Sequence, residues 1–167
     1  RTITIVVGFP AGGTTDIIAR LIGQKIGEYT GANVVIENIG GGASIPATEK
    51  VANAAPDGYM LYMPSSTPFA TNPNFFRRLR YSIDDFETIT LITRIPLGLD
   101  VNRNFPGSSV QDFIEYARKQ QNPITIATPG RGSVGEIVNG MARGIFNIQV
   151  QDVPYRGAAP AVQDVIK

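Results

Sequence analysis

Apolar, β-branched residues open the chain, and Ile3, Ile5, Val6 and Val7 together predict a buried strand. The run breaks at Phe9-Pro10, passes through Gly12-Gly13 and gives way to a helical pattern over about Thr14–Tyr29. Ile17, Ile18, Leu21, Ile22 and Ile26 form the apolar stripe of that helix, with Thr14, Thr15 and Asp16 as its capping candidates. Gly31 follows as a C-cap, and ANVVIE at Ala32–Glu37 predicts a second strand. After the glycine loop Asn38–Gly42, a helix over Ser44–Ala54 turns Ile45, Thr48, Val51 and Ala52 inward. Pro56-Asp57-Gly58 then makes a turn into a third strand at Tyr59–Met63. Strands and helices alternating at this spacing imply right-handed βαβ units on a parallel sheet.

The stretch Pro64–Tyr81 interrupts the alternation with Ser, Thr, Pro and Asn, and Arg77, Arg78 and Arg80 behind it read as a solvated face. Phe86–Thr93 (FETITLIT) predicts a strand and Leu97–Val101 another extended segment, with a crossing to a second unit near Asp100–Asn104. That unit opens with a helix at Ser109–Gln120, whose Ser109 and Asp112 have the spacing of a capping box. Strand Ile124–Ala127, a helix from Ser133 to about Phe146, strand Gln149–Val153 and a helix at Ala158–Lys167 follow. Arg1 stands at the edge of the first strand, and the final helix stops at Lys167 without a Gly or Pro terminator. Both ends therefore read as those of the N-terminal part of a longer protein.

Composition narrows the chemistry. The 167 residues are 43% hydrophobic and 17% charged, with a net charge of +1. No basic stripe with interleaved aromatics is present, so no nucleic-acid partner is expected. No apolar run approaches the roughly 20 residues of a membrane helix. The chain has neither Cys nor His. That excludes Ser-His-Asp and Cys-His nucleophile systems and the usual zinc sites. No catalytic residue, metal ligand or cofactor is assigned, and an anionic ligand would have to be attracted locally, by loops and helix ends.

Two places offer such attraction. Strand, glycine turn and helix N-terminus meet at Pro10-Ala11-Gly12-Gly13-Thr14-Thr15-Asp16, where unpaired N–H groups and the positive end of the helix dipole converge. Gly13 there is expected to permit close approach or a positive φ. Asp16 would repel a carboxylate directly, so it is expected to act through water or to hold the loop. The arrangement returns at Thr128-Pro129-Gly130-Arg131-Gly132-Ser133, with Ser133 as the N-cap. Two such turns suggest two walls of one cleft. Ser65, Ser66 and Thr67 follow the third strand at its C-terminal end, the edge where open α/β sheets bind ligands. One alternative stays open: Gly130–Gly135 spells G-x-G-x-x-G, and Asp152 lies about 20 residues on, as in a nicotinamide dinucleotide-binding oxidoreductase.

The segments PAGGTTDIIAR, ENIGGGASIPATEKVANAAPDGY and NPNFFRRLRYSIDDFETITLI, with TPGRGSVG and VPYRGAAPA in the second half, resemble one known family. The chain is similar over nearly all of its length to the Bug-type solute-binding receptors of tripartite tricarboxylate transporters. The resemblance implies an α/β fold of two-domain periplasmic-binding-protein (Venus-flytrap) architecture, present here as an N-terminal portion. Residues 1–100 would fall in the first domain and 101–167 in the second. It implies no enzyme but a periplasmic receptor that binds a small organic acid (a mono-, di- or tricarboxylate or an acidic amino acid) and presents it to membrane permease subunits. Carried over residue by residue, the family's ligand contacts fall on Pro10, Ala11, Gly12, Gly13, Thr14, Thr15, Asp16, Ser65, Ser66, Thr128, Pro129, Gly130, Gly132 and Ser133. Relatives often carry a His in the segment where this chain has Glu136, which is a departure.

Overall fold

A computed structural model describes residues 1–167, which divide into two compact units, Arg1–Thr90 and Leu91–Lys167. In the first unit, β1 (Ile3–Val7) is the central strand of a parallel sheet with β2 (Val34–Asn38) on one side and β3 (Met60–Met63) on the other. The register pairs Val7 with Asn38 and with Met63, so all three strands finish at the same edge. As the middle strand, β1 is the most deeply buried: Ile5 is 2% exposed, and Val6 and Val7 are not exposed at all.

Helix α1 (Thr14–Thr30) packs on one face of this sheet. Its Ala19 joins Ile5, Val7 and Met63 in the core, and Ile18, Ile22, Ile26, Val34, Ile36 and Leu61 surround them. Of the five-residue stripe expected on α1, Ile17 and Leu21 instead point to solvent, at 61% and 56% exposure. The buried row runs through Ile18, Ile22 and Ile26, and the helix lies close enough to β2 that a Cβ on Gly23 would come within 3.1 Å of Val34 and Ile36. Small residues at the contact, rather than the widest apolar arc, set the rotation of the helix. The expected C-cap is present: Gly31 has φ 71° and donates its N–H to the Gly27 carbonyl. Helix α2 (Ile45–Ala52) buries Ala47 and Thr48 and contacts β1 and β3.

Beyond β3 the chain forms a single π-helical turn at Thr67–Thr71, the short helix α3 (Asn72–Phe75) and a 3-10 turn at Ile83–Asp85. Four aromatic rings hold this irregular stretch, Phe69 lying 5.1 Å from Phe86 and 6.3 Å from Tyr81, and Tyr62 lying 5.9 Å from Phe86. A buried polar network runs through the same region. The Tyr81 hydroxyl donates to the Pro68 carbonyl and accepts from the Asn72 amide, which also donates to the Ala43 carbonyl. Thr48 bonds the Tyr62 hydroxyl at 2.7 Å, and burial pushes the Tyr62 phenol up to about 12, so it stays protonated.

In the second unit β4 (Ile124–Thr128) and β5 (Val150–Pro154) pair in parallel. Phe113, Ile114 and Ala117 of α4 (Val110–Lys119) pack with Ile148 and Val150, flanked by Phe105, Ile124, Ile126 and Phe146. The Ser109–Asp112 capping box is formed in both directions. Helices α5 (Val134–Phe146) and α6 (Ala158–Ile166) contact the two strands. Phe86–Thr93 and Leu97–Val101 form no strand, contrary to expectation, so three strands and not four precede β4. Ile89 and Leu91 are 77% and 69% exposed. Their β-propensity is real, but a strand exists only through its ladder, and no neighbouring strand supplies one.

Tyr81→Phe should lower the unfolding free energy of the protein by about 1–3 kcal/mol, because it leaves the buried Pro68 carbonyl without its donor. Urea unfolding checks this, and an unchanged midpoint would show that the network is not under load.

Candidate functional site

At the carboxyl edge of the first sheet, three loops meet: residues 8–13 after β1, 39–44 after β2 and 64–71 after β3. Their contact is close. A Cβ on Gly8 would fall 2.6 Å from the Ser44 side chain and 3.3 Å from the Tyr62 hydroxyl, and one on Gly40 would strike Pro10 at 2.8 Å. Ser44 Oγ donates to the Gly8 carbonyl, and Ala43 and Ser44 both hold positive φ, 52° and 62°. Two consecutive non-glycine residues in the left-handed region mark a loop fixed by its surroundings.

Asp16 organises the first turn. It is 2% exposed, and its carboxylate accepts the Gly12 N–H at 2.8 Å and the Asn38 amide at 2.9 Å. Arg20, one turn along α1, reaches both of its oxygens at 3.0 Å, and Asn38 also donates to the Phe9 carbonyl. Asp16 therefore holds the loop through direct hydrogen bonds. The Arg20 hydrogen bond, then those from Gly12 and Asn38, keep the Asp16 carboxyl below its ordinary 3.8 against the opposing effect of burial.

With Asp16 occupied by Gly12, the helix end stays open. The N-cap of α1 is Gly13, not Thr14, Thr15 or Asp16, and it brings no side chain to cap the first N–H groups. Positive φ occurs at Gly12 (87°), while Gly13 at −80° is ordinary extended backbone, where a Cβ would make only an ordinary contact with the Pro10 carbonyl at 3.6 Å. Nothing in the fold demands glycine at 13. Pro10 lies against Gly40, and Ala11, Gly12 and Thr14 are exposed. Ser65 Oγ accepts the Thr67 N–H in a local turn, and the exposed Ser66 caps the π-helical turn through its carbonyl.

The second turn repeats the first with changes. Gly132 has φ 74° and donates its N–H to Glu136 Oε2 at 2.6 Å, as Gly12 does to Asp16. Ser133 is the N-cap, as expected, and its Oγ accepts the Glu136 N–H at 3.4 Å. Thr128 and Pro129 carbonyls accept N–H groups of Tyr155 and Gly157, which ties the turn to the segment after β5. Thr128 is 1% exposed and its Oγ1 has no partner. Asp152, the candidate ribose ligand, is engaged by Arg143 and by Asn139 at 2.6 Å. The dinucleotide alternative finds no support here. No group of three or more His, Cys, Asp or Glu side chains gathers to hold a metal.

Sequence reasoning missed Arg20 and Asn38 as partners of Asp16, and the pinning of the second turn by Tyr155 and Gly157. The i to i+4 spacing of Asp16 and Arg20 was the available signal for the first.

Residues 18–167 match the sequence profile of the tripartite tricarboxylate transporter family receptor. The chain belongs to that family. It is 34% identical to an R. palustris protein solved with adipate, with a TM-score of 0.93 over 99% of this chain and 56% of that one. MatC from Rhodopseudomonas palustris, solved with bound malate, is 32% identical with a TM-score of 0.88, again over 99% and 56%. Protein BugT of Bordetella pertussis is 27% identical over 99% of this chain and 52% of its own length. The fold is thus that of solved periplasmic binding proteins, BugD among them at 29% identity and a TM-score of 0.71. The chain spans about half the length of these relatives.

Asp16→Ala should cost about 2 kcal/mol at neutral pH, since it removes three hydrogen bonds to a buried carboxylate. Because the folded carboxyl titrates below 3.8, its contribution is complete above about pH 4 and is lost as pH falls through the lowered value. Urea unfolding of wild type and variant should therefore converge in strong acid. A gap that persists there would remove the charge from the explanation.

Proposed function

We propose that this protein is a periplasmic solute-binding receptor that captures a small organic carboxylate and presents it to the membrane permease subunits of a tripartite tricarboxylate transporter. The observation that carries the reading is the first turn. Its N–H groups at Thr14 and Thr15 open a 17-residue helix with no side-chain cap, while the negative charge of Asp16 in its first turn is paired with Arg20. A ligand carboxylate there meets free donors and the positive helix end, with the Asp16 charge already paired. Family membership and the adipate and malate held by two relatives support the same chemistry.

Within this reading the ligand contacts are the backbone of Pro10–Asp16, with Ser66 at the neighbouring loop, and Thr128, Pro129, Gly130, Gly132 and Ser133 at the second turn. Ser65 and Asp16 act by shaping their loops, because their polar atoms are already engaged. No residue of the site is assigned a bond-making role.

Calorimetric titration with mono-, di- and tricarboxylates, acidic amino acids and NAD should give binding only with organic acids. A ligand at 100 times its Kd should add about 2.7 kcal/mol to stability. Binding of NAD alone would overturn the reading. Gly13→Ser gives a sharper check. A serine cap, as Ser133 provides in the second turn, should keep or raise the unfolding midpoint while occupying the N–H groups, so carboxylate affinity should fall about tenfold. Unchanged affinity in the folded variant would place the carboxylate elsewhere.

A further inference from the structure

The two glycine turns are tied to their sheets in the same way. In the first unit the Ile39 N–H, one residue past the β2 partner of Val7, donates to the Val7 carbonyl at 2.9 Å. In the second the Tyr155 N–H, one residue past the β5 partner of Thr128, donates to the Thr128 carbonyl at 2.9 Å. Arg156 therefore holds the place of Gly40. Arg131 precedes the positive-φ Gly132 as Ala11 precedes the positive-φ Gly12. Two small residues of the first turn are thus two arginines in the second. The backbone segments that carry them are in contact. The Gly157 N–H donates to the Pro129 carbonyl at 3.0 Å, and a Cβ on Gly130 would come within 3.2 Å of the Tyr155 carbonyl.

Both arginines are exposed, and neither forms an ion pair. The acids at this end of the unit are engaged elsewhere. Asp152 is held by Arg143 and Asn139, and Asp164 by the Tyr155 hydroxyl and Lys167. Glu136 accepts the Gly132 N–H and lies in the first turn of α5, where the positive helix end offsets its charge. Backbone donors of the turn are used within the fold as well. Gly132 donates to Glu136, Ser133 to the Gly130 carbonyl and Glu136 to Ser133 Oγ. The second turn therefore presents guanidinium charge to an anion, where the first presents bare N–H groups. Two cations on touching segments repel each other until an anion lies between them, and a guanidinium matches a carboxylate with two parallel N–H donors.

Resting on the receptor reading, we propose that Arg131 and Arg156 form a carboxylate clamp that lies wholly within the second unit. Neither arginine is among the contacts assigned above, and the clamp recognises its anion by charge and by the planar fork of the guanidinium. The first turn keeps its own role.

Arginine Nε–Hε correlation spectra at low ionic strength test this, recorded while acetate, succinate, adipate or inorganic phosphate is added. Arg131→Lys and Arg156→Lys each remove one signal and so assign the pair. Both signals should move with a carboxylate and share one saturation midpoint. By calorimetry, the tightest-binding carboxylate should bind Arg131→Gln or Arg156→Gln about tenfold more weakly than wild type, and about 0.5 M salt should narrow the gap. Both side chains are exposed, so these variants should keep the wild-type urea midpoint. Carboxylate binding that leaves both signals still, or Gln variants of wild-type affinity, would show the clamp to be wrong while the receptor reading stands. Phosphate that moves the pair at lower concentration than every carboxylate would overturn the carboxylate assignment. If no organic acid of the wider panel binds, the receptor reading falls and this inference with it.

Discussion

One buried carboxylate fixes the geometry on which the first unit depends. Asp16 gathers a backbone N–H from the turn, a guanidinium from its own helix and an amide from the end of the neighbouring strand. Through Asn38 it also reaches the Phe9 carbonyl. A charge at 2% exposure is tolerable only with such complete pairing. Its effect is to decide which N–H groups are used internally. Gly12 is consumed, and the helix end beyond it is left without a side-chain partner. The acidic residue in the middle of the turn proposed to hold an anion is thereby part of the scaffold, its charge paired within the fold.

The second unit shows what happens when the same turn is kept and the clamp is removed. The glycine conformation and the glycine-to-acid hydrogen bond persist, but the cap becomes Ser133 and the acid keeps its charge unmatched. The Arg–carboxylate pair of this unit has moved to Arg143 and Asp152, with Asn139 on the helix. In the first unit the acid is on the helix and the amide on the strand, and in the second these roles are exchanged. Backbone shape is thus shared between the units while the chemistry offered at the turn is not, and chemistry at the site decides what a common fold binds.

Most of the fold was legible because hydrophobic period and glycine punctuation agree. The parallel β1–α1–β2–α2–β3 order, the Gly31 cap, the Ser109–Asp112 box and Ser133 as a cap could all be read from local pattern. The misreadings have physical causes. Ile17 and Leu21 belong to the apolar arc of α1, but the close approach at Gly23 rotates them outward. The FETITLIT run has strand propensity and no ladder partner. At the site, glycine turns and capping residues were visible in the sequence, whereas Asn38 with Asp16 and Thr128 with α5 are long-range or orphaned groups that only three-dimensional placement brings out. The positive φ at Gly12 rather than Gly13 separates a residue that the backbone requires from one that it does not.

The central claim is that the uncapped N–H groups of the first turn hold the solute's carboxylate. Amide nitrogen–proton correlation spectra of the protein, recorded while the tightest-binding organic acid is added, test it most directly. The account predicts that the Thr14 and Thr15 amide protons move downfield as they take a charged acceptor, while Gly12, already bonded to Asp16, moves little. Turn amides that stay still at saturation, with the largest shifts elsewhere, would contradict it.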